Sequence, residues 1–463
     1  MFYLIIVLFI LGYAAIVFEQ RLAVDKAAIA LTFGAFIWVC LALGSDTICD
    51  TLPAFQEYLQ TNPDATAMEF ITRHGLVGHL SRISELLIFL LGSMTIVKIV
   101  DSHGGFNILF KLIKTTNKVK LLWIFSFLTF FMSALIDDLT ITILMITVMW
   151  KYISGKNLRF IFSGMIVIAA NAGGAWSPIG DITTFMLWTG GYVSASNLIL
   201  QLFVPCLICM LVPLIILSLD IKGETVVLLR TGHTQSLIPT TDRERWMILL
   251  SGIGGLMLVP LFKSVTQLPP YIGVLLVLGI IWILAEWLHR KKQKEFQIRL
   301  QLSGILKQTD ISTFFFLLGI LMAVAGLESA GHLHLTGLFF NEKIHSIYAI
   351  NLIIGALSSV VDNVPMMAGT VGMYDIVLPD VLTAISDPAK VAYLKHFVAD
   401  GSFWELLSYT VNNGGSILIV GSTAGIAAMG LAKIDFMWYL KKMSLLALAG
   451  FLLGFTAYYL IVS

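Results

Sequence analysis

The chain reads as an all-α polytopic membrane protein of two inverted-topology repeats, each with a re-entrant hairpin and a broken transmembrane helix. Three observations predict this. First, the 463 residues are 58% hydrophobic and 12% charged, against roughly 25% charged in soluble domains, and mean hydropathy is +0.89. Second, two apolar regions, 121–190 and 346–428, are broken mid-run by Asp, Asn, Gly and Pro. Backbone that leaves the helix at membrane depth must be buried in protein or line a wet cavity. Third, four short motifs of the first half return in the same order in the second. A formal net charge of +1 gives no sign of a nucleic-acid partner.

Taken in order, apolar segments long enough to cross fall at about 2–18, 27–44, 85–100, 197–219, 246–262, 271–288, 310–327 and 437–461. The first lacks a basic n-region and a small-residue cleavage site, so it reads as a retained helix and not a signal peptide. Of the four cysteines, Cys206 and Cys209 form a C-x-x-C inside an apolar run. A redox or zinc site would want polar access and further ligands, so helix packing is the expectation.

Orientation follows from Lys and Arg. Lys111, Lys114, Lys118 and Lys120 precede the apolar run 121–150, and Lys151, Lys156 and Arg159 follow it. Both flanks should be cytoplasmic, which makes 121–150 a hairpin that enters and leaves on one side. Segment 374–405, with Asp375, Asp380, Asp387, Asp400 and Glu405 against Lys390 and Lys395, should lie outside. The hairpin at about 346–373 then enters from the opposite face. Counting crossings puts 45–84 outside, the basic 289–307 inside, and both termini outside.

The internal repeat is short but ordered. Phe89-Leu-Leu-Gly92 returns as Phe316-Leu-Leu-Gly319, and Asp101-Ser-His-Gly104 as Glu328-Ser-Ala-Gly331. Ile136-Asp-Asp-Leu139 returns as Val361-Asp-Asn-Val364. Asn171-Ala-Gly-Gly174 with Gly180-Asp181 returns as Asn412-Asn-Gly-Gly415 with Gly421-Ser422. The expected domains are a first repeat, 1–219 (hairpin about 121–150, broken helix about 160–190), a charged linker, 220–245, and a second repeat, 246–463 (hairpin about 346–373, broken helix about 404–428). Inverted repeats with paired interruptions point to a secondary transporter whose site lies at the midplane.

The chemistry sits in the interruptions. Asp137 and Asp138 are adjacent carboxylates within an apolar run, and a charge at the bilayer centre costs at least about 2.5–3.5 kcal/mol. At a hairpin tip both can reach one region; one of the two also suits the N-cap of the second arm. In Asn171-Ala-Gly-Gly-Ala-Trp-Ser-Pro-Ile-Gly-Asp181, the residues Gly173, Gly174, Pro178 and Gly180 break the helix, freeing carbonyls beside Asn171, Ser177 and Asp181. The second half offers Ser358, Asp362 and Asn363, with Pro365 at a helix N1 position. Its own break has Gly414, Gly415 and Gly421 beside Asn412, Asn413, Ser416 and Ser422. The cation and proton ligands expected are therefore Asp137, Asp138, Asn171, Asp181, Ser358, Asp362, Asn363, Asn412 and Ser416, with Na⁺ itself at Asp137, Asp138, Asn171 and Asn363. No resident cofactor is expected. A buried carboxylate that holds either H⁺ or Na⁺, and not both at full affinity, is the basis of cation/proton exchange. The nine histidines fall mostly in or near loops and read as solvated.

The motifs Ser133-Ala-Leu-Ile-Asp-Asp-Leu-Thr140, Asn171-Ala-Gly-Gly-Ala-Trp-Ser-Pro-Ile-Gly-Asp181, Ser358-Ser-Val-Val-Asp-Asn-Val-Pro365 and Asn412-Asn-Gly-Gly-Ser416 resemble those of the NhaD-type sodium/proton antiporters of the ion transporter superfamily. The resemblance covers nearly the whole chain. It implies a homodimer with a scaffold and a moving transport part, an elevator-like motion, and Na⁺ or Li⁺ exchanged for H⁺ in a bacterial inner membrane or an organelle of bacterial descent. Related dicarboxylate carriers have Ser-Asn-Thr where this chain has Asp137-Asp138-Leu139, and two carboxylates at the tip would repel a dianion. Two rivals are a carrier of another substrate (a dicarboxylate, metal-citrate or arsenite) and an intramembrane aspartyl protease. The protease needs its acids on separate helices, commonly within Gly-x-Gly-Asp; Pro178-Ile-Gly-Asp181 lacks the first glycine.

Overall fold

The computed structural model describes residues 1–50, 52–111, 113, 115–153, 155–221, 240–290 and 311–462. Most of the expected linker, Lys114, and the basic residues Lys291, Lys292, Lys294 and Arg299 lie outside the described residues. Among those described there are helices and no strand. The principal helices are α1 (Phe2–Val17), α2 (Lys26–Leu43), α3 (Gly78–Ser102), α4 (Lys118–Ser133), α5 (Asp138–Tyr152), α6 (Lys156–Gly174), α7 (Ile182–Thr189), α8 (Ala195–Asp220), α9 (Asp242–Met257), α10 (Val259–Thr266) and α11 (Pro270–His289). They continue as α12 (Ile311–Ser329), α13 (His332–Ile344), α14 (Ile347–Ser358), α15 (Asn363–Val371), α16 (Ser402–Gly414), α17 (Thr423–Ala432), α18 (Phe436–Lys442) and α19 (Ser444–Val462).

Among the described residues, six helical stretches are long and apolar enough to cross a bilayer: Lys26–Leu43, Ala67–Ser102, Ala195–Asp220, Pro270–Leu288, Ile311–Ser329 and Ser444–Val462. The protein is an integral membrane protein. Two expected crossings are broken instead of continuous. The run at 246–262 bends by 45° between α9 and α10, where Pro260 is the second residue of the new helix and supplies no N–H to the old one. The run at 437–461 divides at Met443 into α18 and α19.

The chain forms two compact units. One comprises Met1–Leu91, Asp310–Ser346 and Met367–Asp375. Its axis is the pair α2 and α12, which approach through glycine: a Cβ on Gly34 would lie 2.6 Å from the Gly319 carbonyl oxygen. Trp38 Nε1 donates to the Met322 carbonyl at 2.9 Å. Asp25 caps α2 through Ala27 N at 2.8 Å and accepts from Ser312 Oγ at 2.9 Å. Small residues at such a contact let two backbones close up where lipid provides no hydrophobic drive.

The second unit comprises Gly92–Thr309, Ile347–Met366 and Ile376–Ser463. Here α8 lies along α19. Pro213 within α8 leaves the Cys209 carbonyl without its usual donor four residues on, and Gly450 of α19 packs directly against that carbonyl. Cys206 and Cys209 are both buried and free, in line with a packing role. Glu405, counted among the external acids of 374–405, is instead 4% exposed. α16 begins at Ser402, so Glu405 already sits one turn inside that helix.

Candidate functional site

All the sequence-selected residues lie in the second unit, at four places where helices stop and restart. Between α4 and α5 the chain turns at 134–137. Asp137 is the N-cap of α5, its Oδ2 accepting from Thr140 N at 3.1 Å and Thr140 Oγ1 at 3.2 Å. Capping therefore falls to Asp137. Asp138 is freed from that role, is 1% exposed, and its Oδ2 has no hydrogen-bond partner among the described residues.

Between α14 and α15 the turn is similar. Asp362 Oδ1 accepts from Val364 N at 3.2 Å. Because α15 starts at Asn363, Pro365 is its third residue and not its first. Its missing N–H is harmless at either place, since first-turn donors have no intrahelical acceptor.

The two broken helices seat on these turns by matching contacts. Ser133 Oγ donates to the Ala170 carbonyl at 2.6 Å, and Ser358 Oγ donates to the Val411 carbonyl at 2.7 Å. A Cβ on Gly173 would collide with the Phe130 carbonyl, and one on Gly414 with the Gly355 carbonyl. Past the breaks, Gly180 rests on the Ser133 carbonyl and Gly421 on that of Ser359. These three contacts of 130–180 thus have counterparts in 355–421. Ser177 Oγ adds a bond to the Ala134 carbonyl at 2.5 Å.

Side chains then reach across between the halves. Asn171 Nδ2 donates to Ser422 Oγ at 3.1 Å. Asp181, at the N-cap position of α7, makes no capping bond with its side chain. Its Oδ2 accepts instead from Thr183 Oγ1 at 2.7 Å and Asn363 Nδ2 at 3.3 Å. Asn412 Oδ1 lies 2.7 Å from Thr183 Oγ1 and 3.4 Å from Asn363 Nδ2.

One ligand oxygen from each of Asp137, Asp138 and Asp181 can be chosen so that all three lie within 4.8 Å of one another. Two full charges at that distance and an effective dielectric of about 20 repel by about 3–4 kcal/mol. Three together need a cation or protons among them. Asp138 Oδ2, Thr142 Oγ1, Asn171 Oδ1 and Asn363 Oδ1 are all buried and lack a hydrogen-bond partner among the described residues. An orphaned buried acceptor costs about 1–3 kcal/mol, and for Asp138 Oδ2, which belongs to the carboxyl cluster, a cation or a proton would answer that deficit.

Of the selected residues, the structure joins Asp137, Asp138, Asp181, Asn363 and Asn412 into one neighbourhood. Ser358 and Ser416 donate to backbone carbonyls of Val411 and Asn413, and act as fasteners of the breaks. Asp362 caps α15.

Residues 4–394 match the family model described as citrate transporter. Sodium/proton antiporter 2 of Arabidopsis thaliana is 37% identical over 452 residues, spanning 97% of each chain. Sodium/proton antiporter 1 of the same plant is 37% identical over 453 residues, 97% of this chain and 71% of its own. The Na(+)/H(+) antiporter NhaD of Vibrio cholerae is 30% identical over 472 residues, 95% of this chain and 87% of its own.

The chain belongs to the NhaD-type sodium/proton antiporter family.

It is therefore a secondary transporter of the ion transporter superfamily and not an enzyme, which removes the aspartyl protease reading. For an NhaD-type chain the main residue missed at the sequence level is Thr183, the bridge between Asp181 and Asn412. The available signal was its place two residues beyond an Asp at a helix start, where a hydroxyl turns back toward the cap. Nothing in the sequence shows that it also meets Asn412, 229 positions away.

Proposed function

We propose that this NhaD-type chain exchanges Na⁺ or Li⁺ for H⁺, with cation and proton competing for the cluster of Asp137, Asp138 and Asp181. The observation that carries this reading is the convergence of three carboxyl groups within 4.8 Å, two of them buried. In the cation-loaded form Asp138 supplies its unpartnered Oδ2, while Asp137, held by Thr140, contributes its other oxygen. Asn171 and Asn363 add amide oxygens that no donor claims. Protons entering the cluster neutralise the charge that holds the cation, so loading one cargo releases the other.

The matching contacts around Ser133 and Ser358 support two repeats, 1–219 and 246–463, with hairpins entering from opposite faces. In this reading both termini are external and the transporter works as a homodimer in a bacterial inner membrane or an organelle of bacterial descent. A dicarboxylate or citrate anion would meet three carboxyl groups and no lysine or arginine within the cluster, which disfavours that cargo. Purified protein in liposomes tests the reading. An imposed Na⁺ gradient should drive protons in the opposite sense, and its failure to do so at every pH from about 6 to 9 would overturn it.

A further inference from the structure

Glu405 takes no part in the cation cluster, yet it is a carboxyl group buried to 4% exposure in a membrane protein. Such a group is functional by default, because burial without a countercharge is costly. Both of its hydrogen-bond partners are neutral. Oε1 accepts from Asn197 Nδ2 of α8, and Oε2 accepts from the hydroxyl of Tyr458 on α19. Among the described residues, the surrounding titratable groups offer no countercharge either. Asp400 is an acid, with Oδ1 accepting from Ser194 N. His396, bonded through Nδ1 to Ser402 Oγ, is held below its ordinary range by burial and is neutral near pH 7. Tyr348 from α14 and its ring partner Tyr459 are phenols. Asn197 is the neutral partner on α8.

The hydrogen bonds around Glu405 can be drawn in two complete ways. In the ionised form, Asn197 and Tyr458 each donate to one carboxylate oxygen. In the protonated form, the carboxyl O–H donates to Tyr458 Oη, and the tyrosine proton turns to the Ser402 carbonyl, which lies 3.4 Å from Oη. Asn197 keeps its bond to Oε1 throughout. One proton is gained, no heavy atom moves, and no donor or acceptor is orphaned. A purely structural clamp needs only one of these patterns. The presence of the spare acceptor is what makes the site able to take up and release a proton.

We infer that Glu405 is a second proton-holding site of the transporter, distinct from the cation cluster and indifferent to the cation. It lies on α16 seven residues before Asn412, about 10 Å along the helix and within about 20° of the same side at ordinary helical pitch. The same helix thus carries Glu405 against Asn197 and Tyr458, and Asn412 against Thr183 and Asn363. Ala399 and Asp400, just ahead of the buried Gly401 that precedes α16, are exposed and bring water to that end of the helix.

Glu405→Gln separates this from a structural role. Glutamine reproduces the protonated pattern, with Asn197 donating to its oxygen, its own NH₂ donating to Tyr458 Oη, and the tyrosine proton on the Ser402 carbonyl. In liposomes the variant should keep the apparent Na⁺ KM within about twofold, match the wild-type rate at the acid end, and diverge several-fold at the alkaline end, where wild-type Glu405 has lost its proton. Infrared difference spectra of the purified protein between about pH 5 and pH 10 supply a readout that needs no transport. The wild type should show a carboxylic C=O band that titrates without regard to Na⁺ and is missing in Glu405→Gln. Tyr458→Phe removes the donor to Oε2 from the ionised form and the acceptor of the carboxyl O–H from the protonated form, so the band should still titrate but at a shifted frequency. Identical rate–pH curves for wild type and Glu405→Gln, or identical infrared spectra, would overturn the assignment. Should no exchange occur at all, the exchange reading fails while the infrared experiment still decides Glu405.

Discussion

Thr183 Oγ1 lies 2.7 Å from Asn412 Oδ1 and 2.7 Å from Asp181 Oδ2. One hydroxyl, with a single proton to give, sits between a carboxyl oxygen of the first half and an amide oxygen of the second, beside Asn363 Nδ2, which reaches the same two oxygens.

Thr183→Val keeps the shape and removes the bridge. Calorimetric titration should show Na⁺ affinity about tenfold weaker, about 1.4 kcal/mol, the scale of a hydrogen bond to a charged group. Thr183→Ser should restore most of it.

Asp137 and Asp138 should respond differently to the same change. Asp138→Asn removes the charge whose Oδ2 has no hydrogen-bond partner among the described residues, so Na⁺ binding and exchange should fall by at least about 100-fold with little change in melting temperature. Asp137→Asn keeps a capable N-cap and should retain weakened but measurable binding. Equal losses in the two variants would contradict the division of roles.

Gly173→Ala and Gly414→Ala each drive a methyl group into a carbonyl of the facing hairpin arm. Overpacking of this kind costs about 1–3 kcal/mol, and thermal unfolding in detergent should show it in both variants. Gly430→Ala, with open space around its Cβ position, is the control.

Competition fixes the sign of the pH response. Where the cluster holds a proton that Na⁺ must displace, affinity should rise about tenfold per pH unit, then level off once the site is deprotonated without Na⁺. Titration calorimetry at several pH values checks the shape. Affinity independent of pH would remove proton–cation competition.

Much of this molecule was legible in composition and pattern. Long apolar runs announce a membrane protein because lipid admits little else at that length, and Asp137, Asp138, Asn171 and Asp181 stand out because such residues are costly there. The recurrence of Ile136-Asp-Asp-Leu139 as Val361-Asp-Asn-Val364, and of Asn171 as Asn412, picked out the turns and breaks that the structure places together. Glu405 entered the orientation count as a loop acid, and the structure buries it, because a charge count cannot see where a helix begins.

What tertiary structure alone decided is which oxygen is already spoken for. Asp137 Oδ2 is given to Thr140 and Asp138 Oδ2 is left without a partner among the described residues, a difference that adjacent, chemically identical residues cannot display in sequence. Thr183 reaches Asn412, and Glu405 meets Asn197 and Tyr458, across more than 50 residues of chain in every case. Sequence determines that costly polar groups are present, through the chemistry of each side chain. Their partners depend on how separate helices pack, and local spacing carries no record of that.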